Sequence, residues 1–303
     1  MNKRVLVIVV TYNGMRWLER CLESVQADAD LYVFDNDSTD GSADFVASRF
    51  PSAKLVRSAE NLGFSKPNNL GFEYAVKKEY EYVYLLNQDA WLEPGALEKL
   101  VAAAQAHPEY GVLSPMQYQD GYQIFDSQFE KILPSTRKAE FVLEPGQKST
   151  SSTRKPENVL EPEVCEVKRV MAAHWLVPVR VIEKIGPFEE ELFPLYGQDD
   201  EWCRRLHFFG LKIGVVPAAR AVHDRAQRKE AKEKLVQRNF YTGSLVRLCD
   251  VNRPLFEKFL FVILFTLVKA VKYGSLLPFK YFGQILKDLS RVKSLRSRIR
   301  ARA

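Results

Sequence analysis

Cysteine is scarce in this chain of 303 residues: Cys21, Cys165, Cys203 and Cys249 stand far apart and form no CxxC pair. That excludes a disulfide framework or a thiolate zinc site as the organising feature, and four separate reduced thiols are expected. Glycine-rich phosphate loops are missing as well. No GxGxxG follows the first apolar run and no GxxxxGK[ST] occurs anywhere, which removes the best evidence for a dinucleotide fold or a P-loop. Long apolar runs are also wanting. Val5 to Val10 is six residues and ends in a polar turn, short of the about 7–15 apolar residues of a secretory segment. It reads as a buried first strand, in a protein expected in the cytoplasm. The most apolar run, Phe259 to Val268, is ten residues, half of the about 20 needed to cross a bilayer.

What is present is unevenly charged. From Val251 to Ala303 twelve Lys/Arg face two Asp/Glu, a net of +10, so the first 250 residues carry −4 of the chain's overall +6. The basic character is local to the tail, and a nucleic acid is not expected as partner. A hydrophobic content of 46% with 27% charged residues fits an ordinary globular protein.

Up to about residue 115, strand-like and helix-like stretches alternate. VLVIVVTY is β-branched and unbroken, as a central parallel strand is. MRWLERCLESVQ sets Trp17, Leu18, Cys21, Leu22 and Val25 at helical spacing. LYVFD is a second strand, and STDGSADFVASRF opens a helix with Ser38 or Thr39 as its cap. AKLVRS, KPNNLGFEYAVKK, YEYVYLL and PGALEKLVAAAQAH continue as strand, helix, strand and helix, the last with proline in its first turn. The order predicts an α/β fold: a Rossmann-like, mostly parallel sheet with helices on both faces. Residues 144–163, rich in Pro, Ser, Thr and charge, read as a mobile loop within a domain spanning 1–228. Residues 229–303 read as a helical, basic extension.

Ligands of open parallel sheets bind beyond the carboxyl ends of the strands. Four such ends are polar here: Thr11, Tyr12 and Asn13; Asp35, Asn36 and Asp37; Glu60 to Phe64; and Asn87, Gln88 and Asp89. Amides, rings and carboxylates at one edge suit a nucleotide read by hydrogen bonds. Without a glycine-rich cradle, a divalent cation with oxygen ligands is the natural partner of a diphosphate.

VIVVTYNG, FDNDSTDGS, ENLGFSKPNNLG, LLNQDAWLEPGAL and IGPFEEELFPLYGQDDEWCRRLHFFGLKIGVVPAARAVH follow one another in the chain. The ordered set resembles the inverting family 2 glycosyltransferases, especially the bacterial rhamnosyltransferase-like group that builds surface polysaccharides. The resemblance spans about residues 4 to 224. It implies the A-type glycosyltransferase fold, a nucleotide-diphosphate sugar donor, Mn2+ or Mg2+, and a glycan or lipid-linked acceptor. Position by position it implies that Thr11, Tyr12, Asn13, Asp35 and Asp37 hold the base, and that Asn61, Gly63, Phe64 and Asn68 lie beside the nucleotide. Asn87 and Asp89 match the pair that holds ribose and metal, with Asp89 the metal ligand and His223 completing the shell. Asp199 matches the catalytic base, with Gln198 and Asp200 beside it and His174 and Trp175 on the acceptor side. Two positions depart from the pattern: Asn87 stands where an acid is usual, and Gln198 where the pattern has Glu. The second leaves Asp200 and Glu201 as competitors of Asp199 for the base.

The chemistry such residues serve has simple requirements. A metal neutralises the departing diphosphate as a Lewis acid. A carboxylate on the opposite side takes the acceptor hydroxyl's proton. An exposed Asp titrates near 3.9 and becomes competent as the attacking alcohol acidifies, and a single displacement inverts the anomeric carbon. The alternatives are a nucleotidyltransferase, which would need a glycine-rich loop that TYNGMRWLER lacks, and a non-catalytic nucleotide-sugar or glycan-binding protein, for which Gln198 is the warrant.

The tail carries a separate expectation. Phe259–Val268, then LLPFKYFGQILKDL, then RVKSLRSRIRARA with six Lys/Arg and no acid, suit the inner face of an anionic membrane, with the protein peripheral there. Packing of the apolar run on the catalytic domain, or on a second copy as a homodimer, is the competing reading.

Overall fold

The computed structural model describes residues 5–25, 27–119, 124–133, 163–225 and 237–303. The loop expected at 144–163 lies outside them apart from Glu163, and so does the boundary expected at 228/229. Nine strands among the described residues form one sheet: β1 (Val5–Thr11), β2 (Asp30–Asp35), β3 (Lys54–Arg57), β4 (Tyr82–Asn87), β5 (Ala90–Leu92), β6 (Tyr110–Tyr118), β7 (Cys165–Val167), β8 (His174–Pro178) and β9 (Lys212–His223). Their order is β3-β2-β1-β4-β8-β6-β9-β5, with β7 also paired to β9.

The half built from β3, β2, β1 and β4 is parallel throughout, as expected. The other half is mixed: β8 runs antiparallel to both β4 and β6, and β5 and β7 run antiparallel to β9. Register makes this mixing useful. Thr11 lies opposite Asp35 and Val10 opposite Asn87. Because β8 is reversed, its first residue, His174, meets Leu86 near the end of β4. Because β5 turns straight back, Ala90 meets His223 at the end of β9. All these ends gather on one edge.

Helices α1 (Met15–Glu23), α2 (Ser42–Arg49) and α4 (Ala96–Ala106) cover one face; α3 (Ser65–Lys77), α5 (Val179–Ile185) and α6 (Gln198–Phe208) cover the other. The β1 run is apolar at every position because it serves both cores: Val5, Val7 and Val9 pack with Leu18, Leu22 and Leu100, while Leu6 and Ile8 pack with Phe72, Phe188 and Trp202. The expected cap at Ser38 or Thr39 is corrected. Helix α2 begins at Ser42 after Gly41 at φ 87°, because Asp40 turns the chain there by accepting from the Ser42 N–H at 3.0 Å and the Met15 N–H at 3.0 Å.

A π-helical turn (Gln237–Thr242) leads into α7 (Gly243–Cys249), α8 (Leu255–Tyr273) and α9 (Leu277–Arg302). They build a third core from Phe240, Leu245, Val262, Ile285 and Val292 that takes in Leu192 and Phe193 from the α5–α6 connection. Much of the basic end is engaged within the molecule. Arg296 is buried and donates to the carbonyls of Leu248, Asp250 and Arg253, Arg298 pairs with Glu189 at 2.5 Å, and Arg302 reaches the Glu183 carbonyl at 3.2 Å. Among the described residues no helix is long and apolar enough to cross a membrane.

Candidate active site

The turn after β1 is tied to the turn after β4 by a residue that the sequence did not single out. Gln88 Oε1 accepts from Thr11 Oγ1 and from the Tyr12 N–H, both at 2.8 Å. A Cβ on Gly14 would lie 2.3 Å from that same oxygen, so only glycine allows the approach. Asn13, at φ 49°, uses its Oδ1 to accept from the Thr39 N–H at 2.8 Å. Asp37 is likewise left-handed, at φ 68°. Asn and Asp tolerate this region better than most residues, at a small cost in strain. Tyr12 is left standing 48% exposed above the edge.

Asp35 is buried; its Oδ2 accepts from the Ser38 N–H at 3.2 Å, while its Oδ1 has no partner among the described residues. Beside it Asn36 secures the third polar turn. Its Nδ2 donates to Asn61 Oδ1 at 3.0 Å and to the Gly63 carbonyl at 2.7 Å, and its Oδ1 accepts from the Leu62 N–H at 2.7 Å. Gly63, at φ 80°, would place a Cβ 2.4 Å from the Pro194 carbonyl oxygen; that oxygen accepts from the Phe64 N–H at 2.6 Å. Asn68 is buried and spends its amide on the Phe64 carbonyl at 2.7 Å, so it shapes this turn from within.

Asp89 follows β4, with Asn87, half-buried like it, two residues before. Its Oδ1 faces His223 Nε2 at 3.5 Å. The pair is set from several sides: the Asp89 carbonyl accepts from the Asp224 N–H at 2.8 Å, Trp17 Nε1 donates to Asp224 Oδ2 at 2.8 Å, and Arg225 pairs with buried Asp126. Burial pushes the Asp89 carboxyl up, but the hydrogen bond and charge of His223, with Arg225 beyond, outweigh it and hold the carboxyl below its ordinary value. His223 Nδ1 is buried without a partner among the described residues.

His174 and Trp175 lie behind this edge. His174 is fully buried; its Nε2 meets the Val222 carbonyl at 3.1 Å and its Nδ1 the Tyr84 hydroxyl at 2.8 Å. A carbonyl only accepts, so Nε2 carries the hydrogen and the ring is neutral; burial, with His223 nearby, pushes its pKa down to about 3. Trp175 is fully buried between Phe188 and Trp202. Neither side chain faces the opening.

The remaining carboxylates sit at the start of α6. Gly197, at φ 90°, precedes Gln198, Asp199, Asp200 and Glu201 in the first turn. Three fates separate them. Glu201 is buried and clamped to Arg205, whose guanidinium also donates to the Pro187 carbonyl at 2.7 Å. Asp200 pairs with Arg169 at 2.6 Å. Asp199 makes no ion pair among the described residues and accepts only the Asp200 N–H at 2.9 Å. Burial, then the charge of Asp200, pushes its carboxyl from 3.8 up to about 6. Gln198 is buried, with its Oε1 unpartnered among the described residues. The Asn87 N–H donates to the Ala173 carbonyl at 3.1 Å, so the segment that carries Arg169 into β8 belongs to the same edge as Asp89. Through Arg169 the acidic turn of α6 belongs there too.

The glycosyl transferase family 2 model matches residues 6–156. An N-acetylglucosaminyl-diphospho-decaprenol L-rhamnosyltransferase of Mycobacterium tuberculosis is 27% identical over 242 residues, 73% of this chain and 76% of that protein. A dTDP-rhamnosyl transferase RfbF of Shigella flexneri is 21% identical and covers 84% of this chain and 75% of its own length. In architecture the chain is similar to the mannosyltransferase PcManGT from Pyrobaculum calidifontis, solved with GDP-Man and Mn2+, at TM-score 0.57 and 17% identity over 99% of this chain and 85% of that one. It is similar too to S. aureus TarS 1-349 with UDP-GlcNAc, at TM-score 0.54 and 16% identity over 99% of this chain and 88% of that one. At such identities the two structures speak for the fold alone. Taken with the ordered strand-end motifs, the family model and the rhamnosyltransferase relatives show that this chain belongs to glycosyl transferase family 2 and is rhamnosyltransferase-like in kind.

Proposed function

We propose that the protein moves a 6-deoxyhexosyl group of the rhamnose type from a nucleoside diphosphate to a hydroxyl of a lipid-linked glycan, at the cytoplasmic face of the membrane, in surface polysaccharide synthesis. The names of the two rhamnosyl relatives, one of them acting on a diphospho-decaprenol acceptor, support the sugar and the acceptor class. The observation that carries the chemistry is the pairing of roles on one edge: Asp89 held in its charged form against His223, and Asp199 left unpaired with a raised pKa.

In this reading Tyr12 offers its exposed ring to the base and Asp35 Oδ1 its free lone pairs, with Asn13, Asp37, Asn61, Gly63 and Phe64 lining the nucleotide and Asn87 near the ribose. A divalent cation fits Asp89 and His223, whose carboxylate Oδ1 and imidazole Nε2 face one another at 3.5 Å. Among the described residues no group of three or more His, Cys, Asp or Glu could hold a metal alone, so donor phosphates and water would complete the shell, as suits Mg2+ or Mn2+. When bound, the ion supplies Lewis acidity toward the leaving diphosphate. Asp199 accepts the proton of the acceptor hydroxyl as the new C1–O bond forms and the bond from C1 to the diphosphate oxygen breaks, inverting C1. A base titrating near 6 is better matched to neutral pH than one near 3.9. Gln198 does not remove the base, since the free carboxylate is that of Asp199.

The test is incubation with dTDP-rhamnose, other nucleotide sugars and a lipid-diphosphate saccharide, with Mn2+ or with chelator. Metal-dependent rhamnosyl transfer is expected. Nucleotidyl transfer, or donor binding without turnover, would replace this reading with one of its rivals.

A further inference from the structure

Helix α8 leaves one face bare. Only Val262 and Thr266 are buried along it. At 100° per residue Phe256, Leu260, Leu264, Leu267, Val268 and Val271 fall within about 120° of the helix circumference. All six are exposed, Leu264 by 57% and Val271 by 85%. A stripe of that size on a described surface calls for an occupant. On the same wheel Lys272 falls about 40° beyond the Val268 edge of the stripe, Lys258 about 80° and Lys269 about 100°, all on one side of it, while Glu257, the helix's single acid, falls within the stripe at the first turn.

We infer that α8 lies in the plane of an anionic bilayer surface, its apolar stripe among the upper acyl chains and its lysines at the headgroups. Its 19 residues make a rod of about 28 Å, and it does not meet the requirements of a span. A second copy is the less suitable occupant. Each α8 carries a net +2, so two such faces would bring like charge together, whereas an anionic surface turns the same lysines into attraction. The extension also bears directly on the catalytic turn. A Cβ on Gly197 would meet Thr242 Cγ2 at 2.6 Å and Val246 Cγ2 at 3.0 Å, and Arg204 of α6 pairs with Asp250 at 2.7 Å. Arg247 of α7 stands over Phe261 and Phe265 of α8, 5.6 Å and 5.2 Å from their ring centres. Docking α8 therefore fixes how Asp199 is presented to a membrane-borne hydroxyl. The inference rests on the proposed function for the membrane-borne acceptor and for the role of Asp199, and its test uses neither donor nor acceptor.

The full chain is mixed with phosphatidylcholine vesicles with and without phosphatidylglycerol, and co-sedimentation is measured at low and high salt. Binding to the anionic vesicles, weakened by salt, is expected. Leu264→Glu with Val271→Glu should weaken it by about tenfold or more, and Lys258→Glu with Lys272→Glu should remove the preference for phosphatidylglycerol. Both pairs change exposed or half-buried positions, and an unchanged melting temperature checks folding. A full chain that ignores anionic vesicles, or variants that bind them equally well, overturns the inference. So does a salt-resistant dimer that Leu264→Glu with Val271→Glu dissolves while vesicle binding stays as it was.

Discussion

Replacing Asp199 by Asn keeps the shape of the acidic turn and removes its proton affinity. Loss of a general base costs on the order of 10²–10⁴ in turnover, and donor affinity should be unchanged because the role proposed for Asp199 is toward the acceptor. Stability should move the other way. In the folded state the carboxyl titrates at about 6 instead of 3.8, so folding favours its protonated form. The resulting penalty is absent below about 3.8, grows as pH rises, and is complete above about 6. For a fully buried group it would amount to about 3 kcal/mol. Asp199 is partly exposed, and solvent screening reduces the figure to about 1 kcal/mol. Asp199→Asn should therefore melt slightly higher than the parent at neutral pH and no differently at pH 3. In the parent, kcat should fall as pH drops through about 6, since only the ionised carboxylate accepts a proton. Steady-state kinetics with saturating Mn2+ and donor, alongside thermal melts, reads all of this. Glu201→Gln is the control. It breaks the buried pair with Arg205 and should destabilise by about 3–5 kcal/mol while the folded fraction keeps its turnover. A folded Glu201→Gln without activity, next to an active Asp199→Asn, would refute the assignment of the base.

Asp89→Ala should abolish Mn2+-dependent donor binding in calorimetry with the fold intact, and His223→Ala should weaken it less, since water can take the place of the imidazole. Gly63→Ala forces a side chain to φ 80° and against the Pro194 carbonyl; a loss of about 1–3 kcal/mol and a raised KM for donor are expected from melts and kinetics. Gln88→Ala frees Thr11 and the Tyr12 N–H from their shared acceptor, and should raise KM for donor several-fold at nearly constant kcat, the mark of a residue that positions the base-binding turn.

The alternation of β-branched runs with amphipathic stretches already implied a sheet covered on both faces, because a central strand buried on both sides reads as a nearly continuous apolar run. The polar turns at four strand ends were equally plain, since TYN, DND, ENLG and NQD each interrupt apolar sequence. Local sequence could not say which turn residues face a ligand and which hold the turns together. Gln88, Asn36 and Asp224 read as ordinary polar residues; their work depends on partners 76, 26 and 207 positions away. The acidic run at Asp199, Asp200 and Glu201 is chemically uniform as a string. It was the placement of Arg205 one turn along and of Arg169 on another segment that took two of the three carboxylates out of service. The resemblance placed His174 and Trp175 on the acceptor side, but β8 lies between β4 and β6 in a sheet covered on both faces, so consecutive side chains that point to opposite faces are both buried.

The tail divides in the same way. Composition alone determined that residues 251–303 would be helical, apolar in one stretch and strongly basic. Tertiary structure decided how those properties are spent: Arg296 of α9 turns inward to carbonyls and Arg298 pairs with Glu189 at the surface, while α8 keeps its apolar stripe outside. The physical reason is common to both ends of the molecule. Residue type and spacing set what a side chain can do and which local element it favours, but a charge is neutralised, a ring buried or a carboxylate left free only by groups from distant parts of the chain, and those meet when the sheet order and the helix packing bring them together.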